Sequence, residues 1–320
     1  MIDLCTLGTG GSIPMPARAL ASLYVRCDGH ALLVDCGEGT QMQIMKLGWG
    51  FRCIEAVLLT HFHADHVSGL PGFLLAQAKA NRDQPLDLYG PPGLAHVVSS
   101  LRVIAPQLPY EVRCHDLAME PSPIRVCGLD ITAFPLRHSI PCLGYDFRLP
   151  RLPRFDPDAA RHLQIPVRYW GQLQRGESVE VDGRRVEACL VQGEARTGLH
   201  FLYATDTRPS GNIREFGQGA DLMILEGMYG DPEKANLAHK NHHMLFREAA
   251  ECARDAGAGR LLLTHYSTSM EDPEIFLEET RHIFPPTDCA LDLSQATLQF
   301  DRAPVLNLRP LIPPVIPVES

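Results

Sequence analysis

Val57-Leu58-Leu59-Thr60-His61-Phe62-His63-Ala64-Asp65-His66 decides how this chain is read. An apolar run of strand character ends in His-x-His-x-Asp-His, which places four metal-binding side chains within six residues. His61 and His63 alternate as strand residues do, so both imidazoles project to the same side. Asp65 and His66 follow after the chain bends and reach a second position beside the first. Three histidines and an aspartate packed this closely make poor core chemistry. A loop alone holds cations from one side only, and further candidates each stand just after an expected strand. His138 follows Phe134-Pro135-Leu136, Asp206 follows Tyr203-Ala204-Thr205, and His265 follows Leu262-Leu263-Thr264. Ligands at the ends of adjacent strands converge above one edge of a sheet.

Working outward, strands are expected at residues 4–7, 22–25, 31–34, 57–60, 86–89, 124–126, 129–134, 143–149, 201–204, 222–225 and 261–264. Helices are expected at 41–46, 69–80, 94–104, 245–256 and 272–283, the last with Asp272 as N-cap and Pro273 at its first position. Strands with helices between them give an α/β protein whose sheets pack inside helices. A strand-rich stretch on either side of residue 150 allows two equivalent halves. Residues 148–200 differ in character, with four prolines from Pro150 to Pro166 and nine arginines beside seven acids. Weak strand signals lie there at 179–181 and 186–191, and the segment reads as an insertion within a domain spanning residues 1–300. The tail 301–320, with five prolines among apolar residues, reads as an extended surface strap.

With 320 residues the chain can bury a large core. Apolar residues make up 45% and charged residues 21%, an ordinary balance for a soluble enzyme. No apolar run approaches the roughly 18 residues of a spanning helix. Met1-Ile2-Asp3-Leu4 shows no basic leader. The ten cysteines contain no Cys-x-x-Cys pair and read as buried thiols, which makes the cytoplasm the expected location. A net charge of −9 opposes indiscriminate binding of nucleic acid over a broad surface, although a local basic patch is compatible with it.

These residues carry a resemblance. Through His61, His63, Asp65, His66, His138, Asp206 and His265 the chain resembles the metallo-β-lactamase superfamily. Within it the chain resembles the ribonuclease Z family of transfer-RNA 3′-end endonucleases. That closer likeness rests on Asp35-Cys36-Gly37-Glu38-Gly39-Thr40-Gln41, the most discriminating string, and on His138 with Pro141 and Gly144-Tyr145. Thr205-Asp206-Thr207-Arg208-Pro209 and His243 with Glu248-Ala249-Ala250 complete it. The resemblance implies a metallo-β-lactamase αββα sandwich, two packed mixed β-sheets flanked by helices. It implies two Zn²⁺ per subunit, with Mn²⁺ as the alternative for a carboxylate-containing pair. The first metal would take His61, His63, His138 and a bridging Asp206; the second would take Asp65, His66, His265 and the same Asp206. Asp35 would support a ligand imidazole. Asp65 would also accept the water proton, and His243, steadied by Glu226, would protonate the leaving group. His239 and His242 read as a solvated cluster.

The expected activity is metal-dependent endoribonucleolytic cleavage of tRNA precursors, leaving a 3′-hydroxyl, by a homodimer without membrane contact. Residues 148–200 depart from the family's RNA-gripping arm. Gln164-Ile165-Pro166-Val167-Arg168-Tyr169-Trp170 lacks the arm's Gly-Pro pair, and Gln192-Gly193-Glu194-Ala195-Arg196-Thr197-Gly198 replaces a proline-rich basic stretch. Arginines 148, 151, 154, 161, 168, 175, 184, 185 and 196 are equally compatible with phosphate contacts and with a solvated face. The alternative is therefore a phosphodiesterase of the same fold acting on small or cyclic nucleotides.

Overall fold

The computed structural model describes residues 1–308. Its strands are β1 (Ile2–Gly8), β2 (Ser22–Cys27), β3 (His30–Val34), β4 (Ile54–Leu58), β5 (Leu86–Gly90), β6 (Val112–Asp116), β7 (Ser122–Val126), β8 (Leu129–Pro135) and β9 (Leu143–Leu149). They continue with β10 (Val179–Val181), β11 (Arg184–Val186), β12 (Leu199–Ala204), β13 (Leu222–Glu226), β14 (Leu261–Thr264), β15 (Thr287–Cys289), β16 (Ser294–Leu298) and β17 (Val305–Asn307). The helices are α1 (Thr40–Leu47), α2 (Ala64–Val67), α3 (Leu70–Lys79), α4 (Leu94–Leu101), α5 (Pro157–His162), α6 (Trp170–Gln174), α7 (Gly211–Phe216), α8 (Ala235–Asn241), α9 (Phe246–Asp255) and α10 (Leu277–Ile283).

Contacts divide the chain into two compact units, Leu149–Leu199 and the remainder. In the larger unit one sheet runs β17-β16-β1-β2-β3-β4-β5-β6 and the other β15-β14-β13-β12-β9-β8-β7. Each passes from antiparallel hairpins (β1–β2–β3; β7–β8–β9) to parallel strands (β3–β6; β12–β15). The two halves thus follow one plan. Parallel strands covered on both faces read as continuous apolar runs, as Leu222-Met223-Ile224-Leu225 does. Ile44 of α1, Phe73 of α3 and Val98 of α4 bury against the first sheet, and Ile213 of α7, Phe246 of α9 and Leu277 of α10 against the second. The architecture is the α/β sandwich of two mixed sheets between helices. No helix among the described residues is long and apolar enough to cross a membrane.

Several boundaries differ from expectation for local reasons. The strand read over 57–60 ends at Leu58, because the Thr60 amide turns to donate to Asp35 Oδ1 at 2.8 Å instead of to a neighbouring strand. The helix read over 94–104 stops at Leu101 and tightens into a 3₁₀ turn. The helix read from 272 begins with a 3₁₀ turn, Pro273–Phe276, whose Glu274 amide is capped by Asp272. Among the cysteines, Cys189 is exposed and Cys53 and Cys114 are only partly buried. Of the proline-rich tail, Val305–Asn307 form an edge strand on β16, and residues 309–320 lie outside the described residues.

The smaller unit has its own core of Ala160, Ile165, Leu173, Val179, Val186, Ala188 and Val191. Asp156 caps α5 through the Asp158 and Ala159 amides, and Trp170 Nε1 donates to Ile165 O at 2.9 Å. The weak signal at 186–191 is a strand only up to Val186, after which Ala188–Val191 form a 3₁₀ turn. Arg161, Arg175 and Arg185 pair with Asp158, Glu177 and Glu187 of the same unit, so these three behave as a solvated face.

Two hydrogen bonds fasten the sheets together beside the histidine loop. The fully buried Tyr145 hydroxyl donates to Leu59 O at 2.6 Å, and the Leu143 amide donates to Thr60 O at 2.9 Å. Tyr145→Phe leaves that carbonyl unpaired and is expected to lower stability by about 1–2 kcal/mol. Urea unfolding should show a lower midpoint at an unchanged slope; an unshifted midpoint would mean the bond carries no weight.

Candidate metal centre

Every candidate ligand sits just past the carboxyl end of a strand or in the first turn beyond it. Asp35 follows β3, Thr60 to His66 follow β4, His138 follows β8, Asp206 follows β12, and His265 follows β14. Parallel strands leave their last carbonyls and the following loops at one edge, which is where ligands gather in α/β sheets. Asp35, Asp206 and His265 all adopt left-handed backbone, at φ of 60°, 56° and 58°. For residues other than glycine such strain is of order 1 kcal/mol each, and it persists where surroundings over-determine it.

The structure brings all seven expected ligands together in two overlapping groups. His61 Nε2 lies 3.0 Å from His63 Nδ1, which lies 3.2 Å from His138 Nε2. His66 Nε2 lies 3.2 Å from His265 Nε2, and Asp65 Oδ2 stands 3.7 and 3.6 Å from those two nitrogens. Asp206 stands between the groups. Its Oδ1 is 3.9 Å from His61 Nε2 and 4.0 Å from His138 Nε2, and its Oδ2 is 3.1 Å from His66 Nε2 and 3.2 Å from His265 Nε2.

Such an arrangement suits cations. Asp206 Oδ2 is buried and carries no well-aligned hydrogen bond, which is costly for a carboxylate unless a positive charge satisfies it. The tautomers agree. His66 Nδ1–H donates to Asp35 Oδ2 at 2.7 Å, and His61 Nδ1 pairs with Thr60 Oγ1 at 3.0 Å, so each ring turns its Nε2 to its group. Burial, reinforced by neighbouring imidazoles, holds His61 well below the usual histidine range, and burial takes His138 down to about 4. Both are thereby neutral, the ligating form. Burial also disfavours charge on His66, yet Asp35 and Asp206 overcome it and hold its pKa well above the usual value. The pocket demands positive charge at that point. Asp65 and Asp206 are kept below the ordinary carboxylate range although burial opposes it, because His265 and His66 face them.

His243 lies beside this cluster. Its Nδ1–H donates to Glu226 Oε2 at 3.0 Å and is 3.9 Å from Asp206 Oδ1. Burial alone would lower its pKa, but Glu226, with Asp206 and Asp65, pushes it up to about 9. Both Asp35 and Glu226 therefore stand where the sequence placed them. His239 is exposed on α8, whereas His242 borders the cavity of about 420 Å³ that His63, Asp65, His138, Asp206 and His243 line.

Sequence reasoning missed three supports. Thr60 donates its amide and hydroxyl to Asp35, tying β4 to β3 under the ligands. The Ser12 amide donates to Asp65 Oδ2 at 2.7 Å. Its only signal was the glycine turn before it, where a Cβ on Gly11 would meet His265 Cε1 at 2.7 Å. Arg208, quoted as part of a motif, grips the His243 carbonyl. Gly37 explains part of the long discriminating string, since a Cβ there would lie 2.3 Å from Asp65 O.

Comparisons with known proteins follow the same lines. The chain is 45% identical over 302 residues to the Ribonuclease Z of Lachnoclostridium phytofermentans, covering 94% of this chain and 99% of that protein. It is 39% identical over 308 residues to the Ribonuclease Z of Clostridium acetobutylicum, with the same coverages. Residues 2–110 match the family model described as Anti-Pycsar protein Apyc1, and residues 164–266 match the Beta-lactamase superfamily domain. The short form of human tRNase Z superposes with a TM-score of 0.67 at 24% identity, covering 93% of this chain and 100% of that one. A diphosphatase of the PhnP family superposes with a TM-score of 0.61 at 19% identity, covering 94% and 99%. Both structural likenesses speak to the fold alone.

Among the described residues, Asp35 reaches the cluster through His66 and Thr60. Asp35→Ala is expected to weaken divalent-metal affinity about 10–100-fold. Competition with a chromogenic chelator measures this, and wild-type affinity in the variant would show that Asp35 does not orient the imidazole.

Proposed function

Because the chain belongs to the ribonuclease Z family, we propose that it cuts transfer-RNA precursors at the 3′ end of the mature body and leaves a 3′-hydroxyl there. It is a phosphodiester-hydrolysing endoribonuclease of the metallo-β-lactamase fold, and it binds divalent metal. The observation that carries the mechanistic reading is one cavity lined both by convergent imidazole and carboxylate donors and by the Glu226-held His243.

The donor set supports two cations. His61, His63 and His138 would hold one, Asp65, His66 and His265 the other, with one oxygen of Asp206 turned to each group. Five imidazoles with two carboxylates favour Zn²⁺, and Mn²⁺ is the alternative. When bound, such a pair supplies a nucleophile from water near neutral pH and neutralises charge on the phosphoryl oxygens. Asp65, held by the Ser12 amide, is the group that takes the proton of the attacking water. As the new P–O bond forms opposite it, the bond to O3′ of the RNA body breaks, and the trailer keeps the phosphate. An alkoxide is a poor leaving group and needs a proton. His243 supplies it: Glu226 engages Nδ1 and leaves Nε2 for the substrate, and the raised pKa keeps the ring protonated near neutrality.

Homodimerisation and a cytoplasmic setting complete the proposal on family grounds; light scattering of the purified chain tests the first. The arm-like reading of residues 148–200 rests on the separate core of that unit. Its self-paired arginines leave fewer cations for RNA than the composition suggests.

Two outcomes test the reading. His243→Ala should retain its metal by elemental analysis yet lose about 10²–10⁴ in precursor cleavage; undiminished turnover would reject the proton-donor role. Cleavage of an unprocessed tRNA should weaken steeply as salt rises, because many phosphates are gripped together. A flat salt response, with a cyclic nucleotide hydrolysed faster than the precursor, would instead favour the small-diester reading.

A further inference from the structure

His243 is held twice: its ring by Glu226 and its backbone by Arg208. Arg208 Nη1 donates to His243 O at 2.5 Å and to Glu248 Oε2 at 2.8 Å, while Nη2 pairs with Glu248 Oε1. Glu248 accepts the Leu245 amide at 2.9 Å, two residues beyond the histidine. The guanidinium and its carboxylate are each only about one-fifth exposed, at 20% and 19%. The forked geometry fixes the planar guanidinium in direction as well as position, which a lysine would not do.

Arg208 also lies two residues from Asp206. The intervening Thr207 amide donates to Glu226 Oε1 at 2.5 Å, and Glu226 Oε2 accepts both His243 Nδ1–H and the Met244 amide. Thr207 Oγ1 in turn accepts the Arg137 amide at 3.1 Å, one residue before His138. A closed circuit therefore joins the carboxylate between the two donor groups, the loop of one histidine ligand, and the proton donor. From this circuit we propose that Arg208 is a positioning residue, which fixes the distance between His243 and the donor cluster so that the ring meets the departing O3′. The inference rests on the proton-donor reading given above and adds to it the group that sets the donor's place.

Leaving-group dependence separates this role from a structural one. The zinc-loaded full chain and its Arg208→Ala, Arg208→Lys, His243→Ala and double Arg208→Ala/His243→Ala variants would be assayed on precursor tRNA and on bis(p-nitrophenyl) phosphate, whose nitrophenolate departs without a proton. Metal content and melting temperature would be recorded for each. Arg208→Ala is expected to lower kcat on the precursor about 10²-fold with little change in KM, and to lower nitrophenyl diester turnover at least ~10-fold less. Arg208→Lys should recover only part of the loss. The double variant should be no more than about threefold slower than His243→Ala, because two residues serving one step do not multiply. Equal losses on both substrates, or multiplying losses in the double variant, would overturn the proposal while leaving His243 as donor. If His243→Ala itself lost activity equally on both substrates, the donor reading would fall and this inference with it.

Discussion

Four carboxylates, Asp35, Asp65, Asp206 and Glu226, are buried at the same strand ends, and the fold must answer their charge. An isolated buried carboxylate is prohibitive, so each needs a positive charge or several hydrogen-bond donors. Asp35 is answered within the chain, by the Thr60 amide and hydroxyl and by His66. Asp206 is not, and faces the five imidazoles of His61, His66, His138, His243 and His265 with one oxygen lacking an aligned donor. That difference separates a supporting carboxylate from a candidate metal ligand. Divalent cations held at Asp206 would complete this electrostatic balance.

The same constraint accounts for the left-handed backbone at Asp35, Asp206 and His265. A strand that continued past these residues would swing their side chains alternately to opposite faces. Turning the backbone sharply at the strand end keeps each side chain over the edge. Local bonds hold the turns: the Asp35 amide to Leu58 O, the Tyr266 amide to Thr9 O, and the Thr207 amide to Glu226. Because both sheets repeat one plan, the two halves meet with their loops at a shared edge, and each contributes candidate ligands. His61 to His66 come from the first half, and His138, Asp206 and His265 from the second.

Much of this was legible in the sequence, and its limits have physical causes. The ligands could be read because imidazoles and carboxylates after apolar runs have few other uses. The buried parallel strands could be read because coverage on both faces leaves uninterrupted apolar residues. The strands Val112–Asp116, Thr287–Cys289 and Ser294–Leu298 went unread, since Asp, Cys, His and Ser interrupt their patterns and pairing alone makes them strands. Ser12 could not be found from its side chain, because its contribution is a backbone amide. Glu226 could be placed because it ends an unbroken apolar strand. Arg208 could be quoted but not assigned, because its partner Glu248 stands forty residues away.

Selectivity for a substrate is a different matter from the capacity to hydrolyse it. The donor cluster and His243 would serve any phosphodiester that entered a cavity of about 420 Å³. Discrimination must come from contacts beyond that cavity, and the positive charge for them is scarce in a chain of net charge −9. In the smaller unit Arg161, Arg175 and Arg185 already face acids on their own surface. Exposed pairs of this kind are weak, worth roughly 0–1 kcal/mol, so a polyanion can exchange for the acids at little cost. The arginines are then neither idle nor committed. A gripping role for this unit would require each of these arginines to exchange its acid for a phosphate.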